Sequence, residues 1–247
     1  MRNGEQKKNA IVTGASSGIG LAISEKLILL GYSVYALARN FSGTKYSNEN
    51  FHRIKCDITE TRTVEATVKK IASENEISVL VNNAGMGYFG PHEDLKLERL
   101  EQMVKTNLVA PILITKLLLK ELKKNSGFLI FISSITALRS SPVGAAYSAT
   151  KAGLTKFSES LFDEVRKTGV KVVTIHPDMT KSNFYNDLDF KEDNDPEYHI
   201  EPESIANILE MILNQKKGTV ISEITIRPQK HRIEKKILRK KKDKIDS

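Results

Sequence analysis

A short apolar strand runs into a glycine-punctuated turn and then into a helix within the first 30 residues, and this order restricts the possible folds more than anything else in the chain. Asn9-Ala10-Ile11-Val12 reads as the strand, Thr13-Gly14-Ala15-Ser16-Ser17-Gly18-Ile19-Gly20 as the turn, and Leu21-Ala22-Ile23-Ser24-Glu25-Lys26-Leu27 as the helix. Glycines at 14, 18 and 20 permit a tight turn, a close approach of backbone to a pyrophosphate, and close packing of helix on strand. The start of the helix offers unpaired N–H groups to an anion. The spacing G-x-x-x-G-x-G is one residue longer in its first gap than the common dinucleotide fingerprint. A glycine loop alone is also compatible with a plain turn, so other features have to decide.

Further strands are expected at Ser33–Ala38, Val79–Val81, Lys171–His176 and Val220–Ile226, with helical stretches between them. Such alternation predicts an α/β chain with a parallel sheet covered by helices on both faces, its connections right-handed. A chain of 247 residues buries a sizeable core without splitting, so one domain is expected over residues 1–228. The stretch from Arg39 to Asp57 is short for a crossover helix and rich in loop formers, so a loop is expected there. The second strand ends in Arg39 rather than in an acid. A carboxylate at this point suits the ribose hydroxyls of NAD, whereas an arginine pairs with the 2′-phosphate of NADP; the alternative is an ordinary surface arginine.

Tyr147 and Lys151 stand four apart in Tyr147-Ser148-Ala149-Thr150-Lys151, thirteen residues after Ser134. Four residues is about one helical turn, so the two side chains share a face. A free phenol titrates near pH ~10, and a neighbouring ammonium favours the phenolate, which makes the pair suited to moving a proton to or from an alcohol oxygen. Taken alone, the pair also fits an exposed phenol and a solvated amine.

With Asn82-Asn83-Ala84-Gly85 directly after the buried strand Val79–Val81, the chain resembles the short-chain dehydrogenase/reductase family, in its compact single-domain form, from about residue 9 to about residue 228. The resemblance rests on Thr13 to Gly20, Asp57 after a strand, Asn82 to Gly85, Asn107 in Lys105-Thr106-Asn107-Leu108, Ser134, Tyr147 to Lys151, and His176-Pro177. It implies a Rossmann-type doubly wound parallel sheet and a catalytic set of Asn107, Ser134, Tyr147 and Lys151. Tyr147 is then the general acid of carbonyl reduction and the base of alcohol oxidation, and Ser134 the hydrogen-bond partner of the substrate oxygen. Lys151 lowers the Tyr147 pKa and holds the nicotinamide ribose, and Asn107 anchors a water that completes a proton relay. The cofactor set it implies is Gly14, Ser16, Ser17, Gly18, Ile19, Gly20, Arg39, Asp57, Asn83, Ala84, Gly85, Tyr147, Lys151, Thr180 and Ser182, with NADP(H) favoured over NAD(H) on account of Arg39. Asp57 is expected to accept from the adenine amino group. Two residues have local alternatives, capping before Thr59 for Asp57 and a cap or bridge within its helix for Asn107. Ser133 competes with Ser134, and the register favours Ser134.

One departure stands out. Where the family has Pro-Gly after the sixth strand, this chain has Pro177-Asp178, and loss of the glycine limits positive φ at 178. The substrate cleft is expected to draw on Met86, Tyr88 and Phe89, on residues 139–146, and on a lid from about 183 to 200. There Phe184, Tyr185, Leu188 and Phe190 either close over an apolar carbonyl compound or pack the lid down. Asp187, Asp189, Glu192, Asp193, Asp195 and Glu197 are expected to face water.

Charge is concentrated at the end of the chain. Residues 227–247 hold ten Lys/Arg against Glu234, Asp243 and Asp246, a net of +7 in a chain of formal net charge +8. A basic tail over 229–247 is therefore expected, either simply solvated or contacting an anionic surface such as nucleic acid, membrane or an acidic carrier protein. Ile233, Ile237 and Leu238 allow a short helix in it. The lone Cys56 reads as a packed thiol, and none of the five histidines is spaced like a metal ligand, so no metal is expected. No transmembrane segment and no signal peptide are read, which makes the cytoplasm the default.

The expected activity is an NADP(H)-dependent oxidoreductase interconverting a carbonyl and a secondary alcohol. A 3-oxoacyl-carrier reductase, a steroid or sugar alcohol dehydrogenase, and an NADP-binding interaction protein with a basic tail remain open beside it. A homodimer or homotetramer through the helices carrying Asn107 and Tyr147 is what the resemblance implies.

Overall fold

The computed structural model describes residues 8–186 and 188–236. Nine strands and six α-helices alternate: β1 Lys8–Thr13, α1 Gly18–Leu29, β2 Tyr32–Ala38, β3 Phe51–Lys55, α2 Thr61–Glu74, β4 Ile77–Asn82, α3 Leu97–Val104, α4 Ala110–Lys124, β5 Phe128–Ile132, α5 Ala145–Val165, β6 Lys171–Pro177, β7 Phe190–Glu192, α6 Pro202–Leu213, β8 Glu223–Ile226 and β9 Ile233–Lys235. Seven strands form one parallel sheet in the order β3-β2-β1-β4-β5-β6-β8, and β7 pairs with β9 in a separate antiparallel ribbon. Winding starts at β1, proceeds outward to β3, then returns past β1 to β4. The loops after β1 and β4 therefore part at the carboxyl edge and leave a crevice there.

Alternation along each strand feeds two cores. Ala10 and Val12 face one layer with Ile23 and Leu27 of α1 and Leu209 and Ile212 of α6, while Ile11 faces the other with Val68 of α2, Leu118 of α4 and Val165 of α5. Val64, Val68 and Ile71 in α2, and Ile114, Leu118 and Leu122 in α4, recur at helical spacing on the buried face. Cys56 is packed in the second core, where burial pushes its thiol pKa up.

Between β2 and β3 a loop replaces the crossover helix, as the sequence suggested. Phe41 and Tyr46 pack edge-on against Phe51, with ring centroids 6.3 and 5.3 Å away. Helices α3 and α4 join through a π-turn at Lys105–Val109 into one run, Leu97–Lys124, of 28 residues. By length and composition alone this run, with a most apolar window of mean hydropathy 1.2, is long and apolar enough to cross a membrane; Met103, Ile114, Leu118 and Leu122 on its inner side are buried in the protein.

The described start of the basic run is extended rather than helical. Ile233 lies in β9, because the chain after β8 turns back and lays an extended segment along β7. Ile237 and Leu238, and the rest of the basic run, lie outside the described residues.

Candidate active site

The glycine turn between β1 and α1 is shaped by steric exclusion. Gly14 has φ +66°, and a Cβ there would stand 2.8 Å from the Ala84 Cα; a Cβ on Gly20 would stand 2.3 Å from the Gly14 carbonyl oxygen. Those distances leave no room for any side chain. Asn83 at the end of β4 locks the turn: its Nδ2 donates to the carbonyls of Thr13 (2.8 Å) and Gly14 (3.2 Å), and the N–H groups of Asn83 and Ala84 donate to Thr13 Oγ1. The Asn83 amide thus holds the turn in shape, and Thr13 is its counterpart. The motif includes Thr13, but its clamping role is not legible in sequence because its partners lie about 70 residues away.

Gly14, Ser16, Ser17, Gly18, Ile19 and Gly20 line a cavity of about 1190 Å³ that continues past Arg39, Asp57, Ala84, Gly85, Ser134, Tyr147, Lys151, Thr180 and Ser182. Arg39 is exposed at its rim. Burial pushes the Asp57 carboxyl up, but hydrogen bonds from Thr59 N (2.9 Å) and Thr59 Oγ1 (2.8 Å), with the Arg39 charge, bring it below its usual value. The local capping alternative is thereby realised at Asp57 Oδ1, while the residue still lines the cavity. Ser182 accepts from Phe184 N (3.3 Å) and closes over the turn, where a Cβ on Gly18 would meet its Cβ at 3.1 Å. Thr180 is buried, with Oγ1 donating to the Asp178 carbonyl (2.9 Å).

Helix α5 carries Tyr147 and Lys151 on its buried face, both almost inaccessible. Lys151 Nζ donates to the Ile132 carbonyl at the end of β5 (2.9 Å) and lies 5.9 Å from the Tyr147 ring centroid. Gly85 admits this approach, since a Cβ there would stand 3.3 Å from Lys151 Nζ. Ser134 follows β5; its Oγ accepts from Thr136 N (3.2 Å) and Thr136 Oγ1 (3.0 Å) and lies close enough to the Tyr147 phenol to lower its pKa. Its rival Ser133 is spent elsewhere, with Oγ donating to the Lys151 carbonyl (3.2 Å) and lying 2.8 Å from Thr155 Oγ1. His176, buried at the end of β6, holds the Ser134 carbonyl through Nδ1 (3.2 Å). Its Nε2 lies 3.0 Å from Glu223 Oε1 without hydrogen-bond geometry.

Asn107 sits in the π-turn, a distortion that swings its side chain inward. Its Oδ1 accepts from Met86 N (2.9 Å), and its Nδ2 donates to the Met86 carbonyl (2.8 Å) and Thr150 Oγ1 (3.0 Å). The side chain therefore braces the loop after β4 against α5, which is a bridge to other elements rather than within its own helix.

The ionisation of the pair departs from the sequence expectation. Burial raises the Tyr147 phenol to about 12, outweighing the Ser134 hydrogen bond that lowers it, and the same burial lowers the Lys151 ammonium to about 8. Desolvation works against both charged forms, and at this separation the amine does not reverse it. The sign is testable through stability. Between about pH 8 and 10 the unfolded chain holds a proton on this lysine that the folded chain has released, so stability rises with pH across that window. We expect Lys151→Met to be more heat-stable than the unmodified protein at pH 7 by the order of 1–3 kcal/mol, and the pH 8–10 rise to vanish in it. Parallel melting profiles would show that the amine is not desolvated.

Aromatic rings cover the phenol. Phe89 and Phe184 lie 5.2 and 5.7 Å from the Tyr147 ring, and Phe190 lies 5.2 Å from Phe89. Met86 and Phe89 line the cavity as expected, but Tyr88 turns outward to Gln102 Oε1 (3.2 Å), beneath the Arg99 guanidinium. Leu188 is buried, and Phe184 and Phe190 pack on Phe89.

Asp178 resolves the missing glycine. Among the described non-glycine residues only Ser126 and Val143 have positive φ, so the backbone at 178 needs no glycine. Its carboxylate accepts from Met179 N (2.9 Å) and Arg139 Nη2 (3.0 Å), and Arg227 Nε lies 3.5 Å away. Val143, at φ +55°, sits in the loop that carries Arg139, with its carbonyl accepting from Gly90 N (2.8 Å). His231, from the segment after β8, also lines the cavity and had no sequence signal. Among the described residues no cluster of His, Cys, Asp and Glu is placed to hold a metal.

Residues 8–193 match the family model for short chain dehydrogenases. The chain belongs to the short-chain dehydrogenase family. This oxidoreductase is 30% identical over 229 residues to an uncharacterized oxidoreductase of Staphylococcus epidermidis, covering 90% of this chain and 98% of the relative. It is 34% identical over 206 residues to the NADPH-dependent 3-dehydrocapnine reductase of Ornithobacterium rhinotracheale, covering 74% and 72%. Among solved structures it superposes on an alcohol dehydrogenase from the archaeon Thermococcus sibiricus complexed with 5-hydroxy-NADP, with a TM-score of 0.83 and 26% identity, covering 92% and 99%. The seven-stranded α/β sheet of this dehydrogenase is thus a Rossmann-like fold.

Proposed function

We propose that this short-chain dehydrogenase is an NADP(H)-dependent enzyme that interconverts a carbonyl and a secondary alcohol. The observation that carries the reading is one continuous cavity, with a glycine-rich cradle at one end and a buried phenol, hydroxyl and amine at the other.

The cradle fits a dinucleotide. Gly14, Ser16, Ser17, Gly18, Ile19 and Gly20 at the start of α1 would hold the pyrophosphate, Asp57 the adenine, Arg39 the 2′-phosphate, Ala84 and Gly85 the adenosine ribose side, and Thr180 and Ser182 the nicotinamide end. When bound, that group supplies or accepts the hydride. The protein's residues handle the proton. Tyr147 keeps its proton well above neutral pH and so presents an O–H donor to a carbonyl oxygen. Ser134, beside it, donates to the same oxygen and stabilises the negative charge that develops there. Lys151 carries positive charge below about pH 8 and favours the phenolate left after donation. Asn107 keeps the loop after β4 and α5 in register, so that Lys151 and Gly85 stay in contact. Phe89, Phe184 and Phe190 exclude water and favour a substrate with an apolar body next to the carbonyl.

Relatives support the NADP(H) preference, since one is named for NADPH and a structural neighbour was solved with an NADP derivative. The test is titration with NADPH and NADH through the nucleotide's own fluorescence, followed at saturation by a panel of aldehydes, diketones, 3-oxoacyl thioesters and oxosteroids. NADPH should bind more tightly than NADH by tenfold or more. Arg39→Asp should move that ratio toward NADH by about 10- to 100-fold, the worth of a charge-assisted phosphate contact. An unchanged ratio would take Arg39 out of the phosphate site, and failure to bind either nucleotide would overturn the reading.

A further inference from the structure

The acidic lid and the basic end of the chain are not separate features. Lid residues Asp193 and Glu197 meet Arg232 and Lys230 from the segment after β8: Arg232 Nε lies 2.6 Å from Asp193 Oδ2, and Lys230 Nζ pairs with Glu197 Oε2. Lys191 Nζ lies 3.2 Å from Glu234 Oε2, so a third pair crosses the same ribbon with the signs exchanged. The backbone runs alongside. β9 pairs antiparallel with β7 over Phe190↔Lys235, Lys191↔Glu234 and Glu192↔Ile233, and the ladder is bracketed by Lys236 N donating to the Asp189 carbonyl (2.7 Å) and Lys230 N to the Glu197 carbonyl (2.8 Å). Lys236 Nζ also donates to the Tyr185 and Asn186 carbonyls, capping the short helical turn that holds Phe184 against Tyr147. At the other end Arg227 reaches Asp178, beneath the start of the lid.

We propose that residues 227–236 form an intramolecular strap that holds the lid shut over Tyr147, with His231 as its contribution to the cavity wall, so that substrate access and product release depend on ionic strength. An isolated exposed ion pair contributes little, but these pairs lie in one strip of ten residues together with a backbone ladder, and they make and break as a unit. Beneath the strap Phe190 packs on Phe89 and Phe89 packs on the Tyr147 ring, so β9, by holding β7, holds Phe190 on that stack. Arg227, Lys230 and Arg232 of the basic run are therefore committed to acids of this chain, and Lys236 to its carbonyls. This inference rests on the reading of the Tyr147 cavity as the substrate site.

Hydrogen exchange of the lid amides, read by mass spectrometry on the full chain without nucleotide or substrate, tests the strap independently of that reading. Lys230→Glu and Glu197→Lys should each speed exchange across residues 188–198 about threefold, and the two together, with the pair restored in reverse, should return it to within about 1.5-fold of the original. Raising NaCl to 0.5 M should speed lid exchange in the unmodified chain while β1 and β4 stay unchanged. Unaltered exchange in the single variants, or no recovery in the swap, would overturn the strap. With a reducible carbonyl, Lys230→Glu should raise kcat and KM together, because a looser lid admits and releases faster. Faster exchange with unchanged turnover constants would overturn its gating role. Loss of turnover on Tyr147 substitution is a separate readout, and its failure would strike the catalytic reading alone.

Discussion

Tyr147→Phe should lower carbonyl reduction about 1000-fold or more, within the span attributed to a positioned general acid, while NADPH affinity changes by less than about threefold. The substitution removes one oxygen from a buried ring whose neighbours, Phe89 and Phe184, touch its carbon framework, so packing survives. What is lost is the O–H that burial keeps protonated up to about pH 12. Ser134 can still donate a hydrogen bond to a substrate oxygen, but an aliphatic hydroxyl gives up its proton far less readily than a phenol, and so does not replace it. Single-turnover reduction at saturating nucleotide is the proper measurement, because it reads the chemical step apart from lid opening. A loss of less than tenfold would remove Tyr147 as the proton donor and leave bound water or Ser134 as the candidates.

The second large effect falls at the other end of the cavity. Gly20→Ala should lower NADPH affinity more than 100-fold and cost the order of 1–3 kcal/mol of stability, as an inserted methylene does in a packed interior. A drop of roughly 3–10 °C in melting temperature follows for a domain of this size. The added Cβ would stand 2.3 Å from the Gly14 carbonyl oxygen and 2.4 Å from Asn83 Nδ2. Neither can retreat, since the first is backbone and the second is the amide that clamps the turn to β4. Relief requires Gly14 to move, which opens the cradle itself. Gly43→Ala is the control, because its Cβ position has nothing within 4 Å. Equal tolerance of the two substitutions, in melting and in nucleotide titration, would mean that the turn is less closely packed than described.

These two sites were legible in the sequence for different reasons. The glycine turn is a local pattern in which strand, glycines and helix follow one another within twenty residues, and backbone sterics act over that same range. Helical periodicity puts Tyr147 and Lys151 on one face, and the other motifs in the same order made that pair a site. Asn107 and Ser134 were found only through their resemblance to a family register, and what they hold could not be read: the bond from Asn107 to Thr150 and the contrast between Ser133 and Ser134 depend on which way side chains point at the end of β5 and within a π-turn.

Sequence alone determined the parallel α/β architecture, the loop in place of a helix after β2, the cradle and the phenol–amine pair, since each follows from local periodicity, turn chemistry or motif order. Tertiary structure decided the rest. The Tyr147 pKa rises rather than falls because the ring is buried, with Phe89 and Phe184 from distant segments packed on it, and no local pattern encodes that meeting. Asp178 stands in for a glycine because Arg139 and Arg227, 39 and 49 residues away, converge on its carboxylate. The described start of the basic run, residues 229–236, carries β9 because the strand and the acids it meets lie about 40 residues earlier. Charge along a sequence records how many ions there are, and only the fold records which of them meet.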